Sequence, residues 1–147
     1  MDIETAVKMS VYQTIAESTK APSAAEVARA LGVSDNDALD AFRSLHKKRL
    51  LVPEPADAMK IRMAPPFSGV ETPFAVRIGR KKYYANCAWD ALGIPAALHE
   101  NAVVETTDAQ TGEPMRIEVR DQRPIPQQCA VHFAVPAARW WDDIVYT

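Results

Sequence analysis

Cys87 and Asp90 are the two side chains whose types and spacing suit them to carry out chemistry together. They lie in the segment N-C-A-W-D-A-L-G-I-P, residues 86–95. Asn86 is a good N-cap residue, and it predicts that Cys87 lies in the first turn of a helix. Because positions i and i+3 of a helix share a face, we expect the carboxyl group of Asp90 to lie beside the thiol.

A thiol and a carboxyl group at a helix start have a defined chemistry. The positive end of the helix dipole and its unsatisfied N–H groups favour a thiolate there. A neighbouring carboxylate resists a second negative charge, so the two groups are expected to share one proton. A soft nucleophile beside a proton donor suits a reaction that binds a soft electrophile and protonates the group it releases.

Strands are predicted on the N-terminal side of this helix. Residues 74–78 alternate between apolar and polar, and Gly79 marks the turn of a hairpin that returns through residues 82–85. The helix itself is expected to be short, because Gly93 and Pro95 disrupt helices.

The first 63 residues predict three helices followed by a hairpin. Helical spacing predicts the first helix over residues 4–18. A capping box, S-A-A-E from Ser23, begins the second helix, and Gly32 ends it. The third starts at Ser34, and two strands at residues 50–52 and 60–63 flank a turn. The side chains expected on the buried faces of the three helices are Val7, Val11, Ile15, Val27, Ala30, Leu31, Leu39, Phe42 and Leu45.

Helices followed by a hairpin are the order of a winged helix-turn-helix, which suggests a DNA-binding regulator. The charges argue against it. Residues 1–63 hold nine Lys/Arg and nine Asp/Glu, and the would-be recognition helix begins with Asp35, Asp37 and Asp40. Phosphate neutralisation supplies much of the affinity for DNA. We therefore favour a structural or partner-contacting lobe and expect no nucleic-acid partner.

Composition bounds the rest of the interpretation. The 147 residues carry a formal net charge of −2, which gives no general attraction to nucleic acid or to anionic membranes. No apolar run is long enough to span a bilayer, and the N-terminus does not resemble a signal peptide, so a cytoplasmic protein with no membrane partner is expected. The two cysteines are then expected to be free thiols. There is no dinucleotide or phosphate-binding glycine motif, so no cofactor is expected.

Residues 84–96, Y-A-N-C-A-W-D-A-L-G-I-P-A, resemble the catalytic segment of the organomercurial (alkylmercury) lyases, in which an aspartate follows a cysteine by three residues. The stretch T-G-E-P at residues 111–114 is similar to a hairpin of that family, and V-H-F at residues 131–133 is similar to the strand after its second catalytic cysteine. The resemblance covers about residues 73–133. The family also has a winged-helix-like lobe on the N-terminal side of this region.

This resemblance implies a role for each matched residue. Cys87 would be the thiolate that captures mercury, and Asp90 would donate the proton that cleaves the carbon–mercury bond. In the family, a second cysteine helps to activate the substrate and to hold the Hg(II) product. Cys129 is the candidate, but ungapped alignment of V-H-F puts Gln128 at that position and Cys129 one residue later. From the residues alone, Cys129 is predicted to be a core strand residue.

Together these observations predict an α+β fold. A winged-helix-like three-helix lobe, residues 1–63, packs on a small mixed or antiparallel sheet with a short site helix, residues 64–147. The leading hypothesis is a carbon–mercury lyase with Cys87, Asp90 and Cys129 as catalytic and Hg(II)-binding residues. Its expected partners are a small organomercurial or other soft electrophile, and a small thiol or reductase as mercury acceptor. The alternatives are a non-catalytic binder of soft metals or organometals and a winged-helix regulator.

Overall fold

The computed structural model of the chain describes residues 1–145, so the last two residues of the predicted second domain lie outside it. The described part is an α+β fold, as predicted. Its helices are α1 (Ile3–Ser18), α2 (Ala24–Leu31), α3 (Asp35–Lys47), α4 (Ala88–Leu98) and a short 3₁₀ helix (Ala137–Asp142). Its strands are β1 (Val52–Glu54), β2 (Asp57–Ala64), β3 (Phe67–Ser68), β4 (Phe74–Ile78), β5 (Lys81–Ala85), β6 (Ala102–Thr107), β7 (Pro114–Arg120) and β8 (Arg123–Ile125).

The three helices of the front lobe begin where the sequence predicts to within one residue, and the predicted ends of the first two are confirmed. Ser23 and Glu26 form the predicted capping box of α2, and Gly32 ends that helix with φ +67°. A second capping box, between Ser34 and Asp37, begins α3. The predicted buried faces are confirmed for α1 and α3, apart from half-buried Leu39. In α2 the buried face is rotated: Ala30 is exposed, Leu31 is half-buried, and the buried residues are Ala24, Val27 and Ala28.

Basic side chains near the end of α3 are already engaged within the fold. Arg43 Nη1 lies 2.9 Å from Asp40 Oδ1, and Lys48 Nζ lies 2.6 Å from Glu4 Oε1. The guanidinium of Arg49 lies 5.8 Å from the ring centroid of Trp141. These contacts agree with a structural role for the lobe, since a side chain held by a neighbour is less available to a phosphate.

Strands β1 and β2 form the predicted hairpin, but its boundaries differ from those expected. The turn was predicted over residues 53–58, and the strands instead extend to Glu54 and resume at Asp57. Pro53 is accommodated because β1 is an edge strand of the sheet and its ladder is irregular there.

All eight strands belong to one sheet in the order β1-β2-β3-β5-β4-β6-β7-β8, and every neighbouring pair is antiparallel. Strand β2 crosses the domain boundary predicted after residue 63, and a single buried cluster contains side chains from α1 to β7. Hydrogen bonds also join the lobe to the sheet: Tyr12 donates to the carbonyl of Pro65 at 2.9 Å, and Tyr83 donates to that of Ala16 at 2.6 Å. The division at residue 63 stays a prediction.

The two sequence-predicted hairpins of the second half are present. Phe74–Ile78 pairs with Lys81–Ala85 around Gly79, whose φ is +58°. Residues 111–114 join β6 to β7, and Gly112 has φ +74°. Within residues 1–145, no helix is long and apolar enough to cross a membrane.

The strand predicted at residues 131–133 is wrong. Residues 126–136 contain neither helix nor strand, and every residue from 121 to 134 is exposed. Pro126 and Pro136, at the two ends of this segment, lack the backbone donors that a strand would need. An exposed segment also has no buried face to fix a strand register.

Gly69 is the glycine whose replacement should disturb the sheet most. A Cβ atom there would lie 2.0 Å from the carbonyl oxygen of Ile61, a backbone atom that cannot rotate away. We expect Gly69→Ala to lower the free energy of unfolding by about 3 kcal/mol or more in denaturant titrations. Gly112→Ala, which meets no atom within 4 Å but has a positive φ, should cost only about 1 kcal/mol. Equal losses in the two variants would contradict this account of the β2–β3 packing.

Candidate active site

The candidate site lies at the start of α4, directly after β5. Cys87 is itself the N-cap, with extended backbone, and the helix begins at Ala88. The prediction that Asn86 caps the helix and that Cys87 lies in its first turn is therefore wrong by one residue. Asp90 becomes the third helical residue, and its backbone N–H can point towards the N-cap side chain.

Helix α4 is also longer than predicted, because it continues through Pro95 to Leu98. Proline inside a helix removes one hydrogen bond and costs about 3 kcal/mol. Packing offsets this cost: Ala91, Ile94 and Pro95 are buried, and α4 contacts β4, β5 and β6. Gly93 lets the helix approach the cis Pro65–Pro66 turn, since a Cβ there would lie 3.2 Å from Pro66 Cβ.

The thiol of Cys87 is half-buried and free. Burial raises its pKa, and the negative charge of Asp90 acts in the same direction. The backbone N–H groups of Asp90 and Trp89 act in the opposite direction and lower the pKa, although the side chain of Cys87 accepts no capping hydrogen bond. The predicted stabilisation of a thiolate by the helix start is thus present, but it is smaller than the effect of burial.

The carboxyl group of Asp90 is also half-buried, and burial raises its pKa. The opposing interaction is a hydrogen bond from Asn86 Nδ2 to Asp90 Oδ2 at 2.9 Å. Both acids therefore have raised pKa values, and the charge of Asp90 is one cause of the rise at Cys87. A proton shared between the two groups stays a prediction.

Asn86 is a site residue whose role differs from the predicted one. Its Nδ2 contacts both Asp90 and the carbonyl of Phe67, the latter at 3.3 Å. Its Oδ1 is buried and has no hydrogen-bond partner among residues 1–145. Asn86 precedes the N-cap and lies outside the helix, so helical spacing gave no signal for this contact.

Tyr12 is a neighbour of the site that sequence reasoning missed. It comes from α1, and the charge of Asp90 contributes, after burial, to raising its pKa. The ring lies 6.4 Å from that of Phe67, and the hydroxyl donates to the carbonyl of Pro65. No sequence pattern connects residue 12 with residue 90, because this contact depends on how the lobe packs on the sheet.

Cys129 occupies a different setting from the two residues on α4. It is exposed and lies in the irregular segment 126–136, so its prediction as a core strand residue is wrong. In the part of the chain that the structure describes, no three His, Cys, Asp or Glu side chains form a group that could hold a metal ion. The catalytic and Hg(II)-binding set of Cys87, Asp90 and Cys129 stays a prediction.

The fold and this helix-start thiol define the class: an α+β protein with a cysteine–aspartate pair on one sheet-packed helix. A search of the solved structures finds the same fold in the crystal structure of the mercury-bound form of MerB2, with a TM-score of 0.59 and 20% sequence identity. That match covers 84% of this chain and 68% of the other. A search of curated proteins finds no match.

The family assignment comes from the sequence itself. The family model for MerB, alkylmercury lyase, matches residues 67–147, which is more than half of the chain. The matched region contains α4 and therefore both Cys87 and Asp90. The chain belongs to the alkylmercury lyase family, as its resemblance predicted.

The burial of Asp90 has a consequence for stability. Its pKa is raised in the folded state, so its contribution to stability is full below the unfolded pKa, about 3.9, and is lost as pH rises through the folded value. We expect Asp90→Asn to raise the thermal midpoint at pH 7 by a few degrees and to have a smaller effect at pH 3.5. The exposed Asp121→Asn is the control and should change little at either pH. A less stable Asp90→Asn protein at pH 7 would contradict the burial argument.

Proposed function

We propose that this protein cleaves carbon–mercury bonds, with Cys87 as the capturing thiolate and Asp90 as the proton donor. The observation that carries the proposal is the half-buried pair at the start of α4, in which burial raises both pKa values. Membership of the alkylmercury lyase family supports the same reaction.

The first step is capture. The Cys87 sulfur bonds to the mercury of R–Hg–X, X leaves as a thiolate or other soft anion, and the thiol proton passes to X or to solvent. Soft Hg(II) prefers sulfur ligands, so this exchange needs no other cofactor. The backbone N–H groups of Trp89 and Asp90 stabilise the thiolate that attacks.

The second step is protonolysis. The Asp90 carboxylic acid gives its proton to the carbon bonded to mercury, the electron pair of the C–Hg bond becomes the new C–H bond, and the hydrocarbon R–H leaves. Hg(II) stays on the Cys87 sulfur and the new carboxylate. Two external thiols then remove it as a dithiolate complex and return one proton each to Cys87 and Asp90.

Product release from a simple organomercurial in excess thiol tests this proposal. We expect Cys87→Ser to lose both capture and turnover, since a hydroxyl is a poor ligand for mercury. Asp90→Asn should still capture the mercurial and should release hydrocarbon at least about 100-fold more slowly, because it lacks the general acid. A folded, reduced wild type that releases no hydrocarbon would refute the lyase.

Cys129→Ser is the matched control for the thiol substitution. Loss of turnover in both serine variants would indicate a two-thiol site, which would require the segment 126–136 to approach α4. Loss in Cys87→Ser alone would mean that one protein thiol is enough and that a solution thiol supplies the second ligand. The exposed position of Cys129 favours the second outcome.

A non-catalytic organomercurial binder is the second candidate, and the exposed position of Cys129 in an irregular segment favours it, because cleavage in the family uses a second cysteine. It predicts one equivalent of uptake, lost in Cys87→Ser, without hydrocarbon. The regulator hypothesis predicts DNA binding at moderate salt, and the paired basic residues of α3 lead us to expect none.

The pH dependence of cleavage follows from the shared proton. Thiolate with carboxylic acid has the same number of protons as thiol with carboxylate, so kcat/KM follows the singly protonated pair. This state is bounded at low pH by the pKa of Asp90 and at high pH by that of Cys87. Since burial raises both pKa values, we expect both limbs to lie above the ordinary values of the two groups.

The hydrogen bond from Asn86 lowers the pKa of Asp90. Asn86→Ala removes this bond, so the acid limb should move to still higher pH. The alkaline limb, which belongs mainly to Cys87, should move much less. Asn101→Ala is the control: Asn101 is an exposed asparagine whose side chain accepts from the backbone N–H of Asp121. An unmoved acid limb in Asn86→Ala would mean that Asn86 does not set the protonation of Asp90.

A further inference from the structure

An apolar pocket lies beside the candidate site. Trp89 of α4 forms one wall, and Phe133, residues 134–137 and Trp140 form the others, around a volume of about 650 Å³. Every residue that lines it is apolar or aromatic. Nothing in the reaction proposed above uses these side chains, although Trp89 stands between the two reacting residues in the sequence.

The three rings of this pocket, Trp89, Phe133 and Trp140, form a tilted series. The Trp89 and Phe133 centroids are 6.5 Å apart at 58°, and those of Phe133 and Trp140 are 4.9 Å apart at 46°. Trp140 is anchored, since its Nε1 donates to the carbonyl of Val135 at 2.8 Å. Trp89 is 61% exposed and Phe133 is 38% exposed, so their faces are open to a further ring.

The pocket is connected to the thiol through Trp89. Trp89 follows Cys87 by two positions in the first turn of α4, so the pocket wall and the thiol belong to the same helix start. The organic group of a mercurial on Cys87 is only two bonds from the sulfur, through mercury. That group is therefore held at the same end of α4 as the Trp89 wall of the pocket.

We propose that the pocket of Trp89, Phe133 and Trp140 binds the aromatic ring of an arylmercury compound captured by Cys87. The inference rests on the proposed capture of organomercurials, and it identifies arylmercury compounds as the preferred class. Aromatic rings prefer tilted or offset neighbours at 4.5–7 Å, the arrangement that the existing pairs already have. A methyl group is too small to contact these walls, and a charged organic group would lose its hydration against an apolar lining.

The test measures binding apart from cleavage. In the Asp90→Asn background, phenylmercury and methylmercury are each allowed to distribute between the protein and glutathione, and the fraction held by the protein is measured. Because each compound exchanges one Hg–S bond for another, the strength of that bond cancels from the comparison. We expect the protein to retain phenylmercury about tenfold more strongly than methylmercury, which is the size of a single aromatic pair. Equal retention of the two compounds would overturn the proposal.

Substitutions test which residues cause the preference for phenylmercury over methylmercury. Trp89→Ala and Phe133→Ala should each reduce the phenyl-to-methyl ratio at least threefold, towards one. Trp141→Ala is the matched control, because this indole faces Arg49 and does not line the pocket. It should keep the wild-type ratio, and an equal fall in all three variants would overturn the proposal. Phe133 lies in an exposed segment without regular structure, so its variant should fold even if Trp89→Ala does not.

The proposed lyase and the pocket can fail separately. A wild type that prefers phenylmercury but releases neither benzene nor methane would refute the cleavage and support the pocket. A wild type that releases both hydrocarbons while its Asp90→Asn form shows no preference would support the cleavage and refute the pocket.

Discussion

Two acids, the Cys87 thiol and the Asp90 carboxyl, are half-buried within one turn of helix, and the groups that stabilise their charged forms are neutral donors. Backbone N–H groups lower the pKa of Cys87, and the Asn86 amide lowers that of Asp90. Neutral donors lower a pKa without fixing a second charge in the site. This environment is compatible with the proposed shared proton, which a neighbouring lysine or arginine would remove by holding both groups ionised.

The surroundings of α4 maintain this environment. The helix is pressed onto the sheet by Ile94 and Pro95, and Gly93 allows close contact with Pro66. Tyr12, from the front lobe, binds the carbonyl of Pro65 and feels the charge of Asp90. The lobe thus contributes to the dielectric setting of the site, which gives the three helices a role that needs no nucleic acid.

Local patterns in the sequence predicted most of the fold. The capping box at Ser23, the helix start at Ser34 and the glycine turn at position 79 are short-range signals, and they were confirmed. The Cys–Asp spacing likewise predicted the pair, because three residues on a helix fix their shared face. The errors occur where contacts distant in sequence determine the local structure. Pro95 is tolerated inside α4 because it is buried, and residues 131–133, which are exposed, form no strand.

Asn86 and Tyr12 illustrate the same limit at the site. Local propensity predicts Asn86 as the N-cap, but the N-cap is Cys87. The amide of Asn86 instead donates to the Asp90 carboxyl group and to the carbonyl of Phe67. Tyr12 lies 78 residues before Asp90 in the chain, so its approach to the site is a non-local event. Single-sequence patterns carry little information on such contacts.

The continuity of the sheet has a consequence for how this molecule can change over generations. Strand β2 belongs to the hairpin of the front lobe on one edge and pairs with β3 on the other, and one hydrophobic cluster fills both halves. An unrelated winged-helix lobe joined to the same α4 would have to reproduce the edge of β2, the Tyr12 hydroxyl and the Ala16 carbonyl together. The helical lobe and the thiol-bearing helix are therefore expected to be inherited as one unit rather than recombined as separate modules.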